Sequence, residues 1–157
     1  MAGQKSFEYM SDMLFDMRVV VKLEMLKARR DIVLNIVTDL ARNTPVDTSQ
    51  ALSNWEVKKS ANFRFGSAHV RGSKGSTREA SVALTAAAAD RDLSGIPIRD
   101  ALYIGNAAPY IRKLDRGWSR QRPGPWIERT ARRSLTKNLK KYQDGVCLLY
   151  TSPSPRD

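Results

Sequence analysis

The chain has 157 residues, 41% of them hydrophobic, which suits one domain with a core of its own. Its net charge of +11 calls for an anionic partner, whether nucleic acid, an acidic protein surface or anionic lipid. One Cys and one His exclude an internal disulfide and a zinc cluster, and no run nears the roughly 18 apolar residues of a membrane span. The opening residues lack the apolar stretch of a secretory leader, so the expected compartment is the cytoplasm of the cell that makes the protein.

A long helix is predicted first. Phe7, Met10, Leu14, Met17, Val21, Met25, Ala28, Ile32, Ile36 and Leu40 step by three or four, and no Gly or Pro interrupts residues 4–43. Such a length suggests a kink near Arg29–Asp31, and the Met-rich stripe reads as core or as a surface for a partner helix. Pro45 stops the helix, because it disfavours helical geometry at Thr44 and has no amide hydrogen to donate. Thr44 with Asp47, or Asp47 with Gln50, can then form a capping box for a short helical turn through Ala51 and Leu52. Alternation around Trp55 and Val57 predicts a strand from about Ser53 to Lys59.

Residues 60–77, with Gly66, Gly72 and Gly75 among Ser and basic side chains, read as an exposed, mobile hairpin or arm. The alanines of residues 78–92 favour a helix, although Ser81–Thr85 also fits a strand. Asp100–Asn106 reads as a second strand, with Leu102 and Ile104 on one face and Tyr103 on the other. Pro109 fits the first turn of a short helix, Tyr110–Asp115, which Gly117 closes. Pro125 is expected to start a last helix, with Ile127, Ala131, Leu135 and Leu139 as its apolar side. The expected class is α+β: a long N-terminal helix and a C-terminal helix packed on a small, mainly antiparallel sheet.

Between Arg112 and Lys141 eleven basic residues face two acids, a local charge of +9. Arg116, Arg120, Arg122, Arg129, Arg132 and Arg133, together with Trp118, are the candidate interface; Arg and Trp serve both protein hot spots and stacking on nucleic-acid bases. Trp126 and Tyr110, at helix starts, are expected in the core. No catalytic motif stands out. His69 lies in a Gly/Ser-rich loop, and Asp47, Asp90, Asp92, Asp100 and Asp115 lack the spacing of a metal box. The residues therefore imply no enzyme, no cofactor and no metal site.

Two stretches carry a resemblance. One is Thr44-Pro45-Val46-Asp47-Thr48 followed by Leu52, Ser53 and Trp55; the other is Tyr103-Ile104-Gly105-Asn106-Ala107-Ala108-Pro109-Tyr110-Ile111 followed by Leu114, Asp115, Arg116, Gly117, Trp118, Ser119 and Gln121. Together they resemble the minor tail component family of tailed phages, also called neck or tail-completion proteins, over roughly Ile36 to Leu135. Ser49 stands where that family usually has Gly, and residues 122–126 form a variant loop. The resemblance gives Pro45, Asp47, Thr48, Trp55, Asn106, Pro109, Tyr110 and Gly117 structural roles. It implies a virion protein forming a homo-oligomeric ring at the head–tail junction, made in the host cytoplasm. Its implied partners are head-closure and tail-terminator proteins, with non-specific contact to packaged DNA as a further one and no membrane. A basic nucleic-acid-binding module is the other reading of the same charge.

The last residues, Cys147–Asp157, resemble a translated reading frame of a transposase-type sequencing adapter. The expected domain is therefore residues 1–146, and the single Cys is expected to be foreign to it.

Overall fold

A computed structural model describes residues 2–47, 49–70 and 75–150. The fold is α+β: α1 (Ala2–Asn43), α2 (Gln50–Ser53), β1 (Trp55–Lys58), α3 (Gly75–Ser94), β2 (Tyr103–Asn106), α4 (Ile111–Asp115) and α5 (Ile127–Tyr150). β1 and β2 form a two-stranded antiparallel sheet in which Trp55 faces Asn106 and Val57 faces Ile104.

Helix α1 is the spine, and its C-terminal part is core. Val33, Ile36, Val37, Leu40 and Ala41 are buried at the spacing of one helical face. Helix α3 lies antiparallel against it. Arg30 grips Asp90 through two nitrogens, at 2.7 and 2.6 Å, while Arg42 approaches Glu79 at the other end. These pairs are exposed, so they orient the helices more than they stabilise them. Small buried residues of α3, Ser81, Thr85 and Ala89, let it sit close to its neighbours. Helix α5 covers another side of α1, also antiparallel, with Asn138 accepting from Asn35 at 2.8 Å and Tyr142 donating to Asp31 at 2.6 Å.

Several expectations need correction. Helix α1 runs without a break through Arg29–Asp31. The arm expected over residues 60–77 gives way to α3 at Gly75, and Ser81–Thr85 is helical. Its earlier part is anchored. The Asn54 side chain accepts from the Gly66 amide at 2.6 Å and donates to the Gly66 carbonyl at 3.0 Å; the His69 amide donates to Ser53 Oγ. Phe63 lies so close to Gly105 that a Cβ there would sit 2.2 Å from its ring. Both strands are shorter than expected, because α2 claims Ser53 and a turn holds residues 98–100. Pro109 lies ahead of α4, whose cap is Tyr110, and Pro125 lies ahead of α5.

The largest correction concerns α5. Its buried line is polar, Thr130, Ser134 and Asn138, whereas Leu135 and Leu139 are 39% and 44% exposed. Asn138 reaches back to the Ser134 carbonyl as well as across to Asn35, so its amide is satisfied where it is buried. The helix thus docks through the Asn138 and Tyr142 hydrogen bonds together with half-buried Ile127 and Ala131, and it leaves the rest of its apolar side outside.

Candidate assembly surface

The two stretches that carry the resemblance form one packed unit. β1 and β2 join them directly, with Trp55 opposite Asn106. The Asn106 amide donates to the Ala51 carbonyl at 2.6 Å, and its oxygen accepts from the Ala108 amide at 2.9 Å. Gln121 clasps Val46 in the manner of a paired strand, accepting from its amide and donating to its carbonyl, both at 2.9 Å. Trp55 is buried and donates to the Thr44 hydroxyl at 2.9 Å, which in turn donates to the Leu40 carbonyl at 2.8 Å. Trp55 and Trp126 meet edge to face, with ring centroids 6.4 Å apart.

Asp47 does not cap α2. It is exposed, and the cap position belongs to Ser49, which has φ 62 and makes no side-chain cap bond. The left-handed turn at Ser49 delays the helix start by two residues and carries it away from Asp47. A buried serine therefore takes the conformation that a glycine would adopt at little cost. Thr48 lies outside the described residues. Pro45 is buried, Pro109 is exposed, and Tyr110 is half-buried, with burial raising its hydroxyl pKa against an opposing hydrogen bond with Ala51.

The loop from Gly117 to Trp126 is shaped by two glycines and an aspartate. Gly117 has φ 85, and a Cβ on it would meet the Gly124 nitrogen at 2.8 Å. Asp115 Oδ1 accepts from the amides of Trp126 at 2.9 Å and Ile127 at 2.8 Å, so a residue of α4 caps α5 across the loop. The sequence hides this bond because donor and acceptor stand eleven and twelve residues apart.

This frame displays the basic residues. Trp118 is 75% exposed, with Lys113 Nζ 5.3 Å from its ring centre. Arg122 lies 5.7 Å from the ring of buried Trp126. Arg116, Arg120, Arg129, Arg132 and Arg133 are exposed. Arg129 bonds the Pro125 carbonyl, and Arg132 pairs with Glu128 at 2.8 Å. Arg133, Lys137 and Lys140 have no ion-pair partner among the described residues. The predicted interface is thus two patches, a loop tipped by Trp118 and the outer face of α5, beside exposed Leu135 and Leu139.

A comparison with protein-family models, curated proteins and solved structures returned no match to this chain. Among the described residues, no group of three or more His, Cys, Asp or Glu side chains could hold a metal ion, and no helix is long and apolar enough to cross a membrane. His69 is exposed, and burial followed by the charge of Arg91 lowers its pKa. Asp92, raised chiefly by burial and then by Glu56, shares no hydrogen bond with it. The arrangement suits binding: a firm scaffold, one projecting indole, and cations beside apolar side chains.

Proposed function

We propose that this chain is a structural subunit of a tailed-phage virion that assembles as a ring at the neck, joining head-closure and tail-terminator components. The observation that carries the reading is the Val46–Gln121 clasp with the Trp55–Asn106 strand pair, which unites both motif segments in one unit. Had those segments lain in separate modules, the resemblance would have lost its basis. The exposed Trp118 loop and the basic α5 face supply the chemistry expected of contacts between subunits, where Arg and Trp dominate binding energy. An acidic protein partner fits better than packaged DNA, since a conduit that gripped phosphate tightly would slow ejection.

Electron microscopy of the purified chain and of the particles that carry it tests the proposal. The expected result is a closed ring with a central opening, located between head and tail. A chain monomeric at all concentrations and missing from the particles would overturn it. Arg133, Lys137 and Lys140, which have no ion-pair partner among the described residues, favour a second reading, a non-specific nucleic-acid module. Gel shifts on random duplex separate the two. Binding that falls steeply with salt and is lost when Arg129, Arg132 and Arg133 become Ala supports the nucleic-acid reading.

A further inference from the structure

Between Phe15 and Leu26, α1 carries apolar side chains that stand uncovered. Phe15, Val20, Val21, Leu23 and Met25 are each more than half exposed, and these positions point around the helix rather than along one side. Apolar side chains at this density belong against a partner surface, and among the described residues nothing covers these. Beside it lies an open groove of about 1100 Å³, walled by Met17, Val21, Met25 and Leu26 and by Ile96 and Ile98 of the turn after α3. Its charged residues are Arg18, Lys22 and Arg99, all cationic. The occupant must therefore be an apolar segment carrying carboxylates.

The chain itself contains such a segment. Residues 8–16 read Glu-Tyr-Met-Ser-Asp-Met-Leu-Phe-Asp, with three acids at four-residue steps and no base. Because α1 is one continuous helix, this segment cannot fold back onto residues 17–26 of the same copy. We propose that two copies pair through the N-terminal halves of α1, antiparallel and centred on Met17. In that register Asp16 stands against Arg18, Asp12 against Lys22 and Glu8 against Leu26 and Lys27. Apolar positions also meet apolar ones: Met13 stands against Val21 and Tyr9 against Met25. Each match occurs twice by the two-fold symmetry, over an overlap of about 27 Å. The contact goes beyond the ring reading, since a ring can form without it and the pair can form without a ring.

A residue on a two-fold axis faces itself, which gives a direct test. With Cys147 replaced by Ser, Met17→Cys is expected to form a disulfide-linked dimer under mild oxidation. Leu26→Cys alone is expected not to, and Leu26→Cys mixed with Glu8→Cys is expected to link. By light scattering, Lys22→Glu should weaken the dimer roughly 100-fold by setting like charges opposite each other, and adding Asp12→Lys should restore it. Equal self-linking of Met17→Cys and Leu26→Cys, no linking in either, or failure of the charge swap to restore pairing would each overturn the proposal. Rings seen by microscopy from a chain whose arms do not link would retire this contact and leave the ring reading standing.

Discussion

The two halves of α1 are built from similar residues and end in opposite environments. From Val33 to Ala41 its apolar side is buried against α3, α5 and the sheet; from Phe15 to Leu26 it stands in solvent. The stripe through Met17, Val21 and Met25 runs on into Ile32, Ile36 and Leu40 without a change of period. Periodicity therefore states that a face will be covered and leaves open by whom. What separates the halves is the rest of the wheel. Toward the C-terminal end, polar groups such as Asp31 and Asn35 are claimed by α5, whereas Val19, Val20 and Leu23 spread exposed apolar side chains beyond the stripe in the other half.

Substitutions at three positions, ordered by effect, sharpen that contrast. Trp126→Ala removes a side chain only 1% exposed that touches Trp55 and donates to the Leu114 carbonyl; it should cost about 3–5 kcal/mol in urea unfolding. A loss near zero would mean the body does not depend on the contact between its two indoles. Asp115→Ala leaves two amides at the start of α5 without their acceptor and should cost about 1–2 kcal/mol by the same measurement. Asp115→Asn, which keeps an oxygen and loses the charge, should recover part of that loss. The smallest effect is expected on the arm. Val20→Ser should shift unfolding of the dilute chain by no more than about 0.5 kcal/mol, because Val20 is 57% exposed. A loss above about 1 kcal/mol would show that the arm packs on its own body after all.

The α+β class, the long first helix, the antiparallel strand pair and the exposed Trp118 were legible in the sequence, because periodicity and turn residues act locally. What escaped was set by partners distant in the chain. Leu135 and Leu139 look like core by spacing, yet the hydrogen bonds of Asn35 with Asn138 and of Asp31 with Tyr142 rotate α5 toward its polar line. Burial and the Asp31 hydrogen bond push the Tyr142 hydroxyl up to about 12, so that bond persists across the ordinary pH range. Asp47 matched a capping box by spacing alone and lost the role to a left-handed Ser49. Gln121 was named only as part of a motif; its reach of seventy-five residues to Val46 has no local signature.

On the proposed reading, that reach governs how the surface would meet a partner. Gln121 treats Val46 as a neighbouring peptide unit would, and Asp115 fastens the far end of the same loop. Trp118 is therefore carried on a bracket whose backbone is pinned at both sides. A loop held this way surrenders little disorder on contact, so more of the contact energy is retained as affinity.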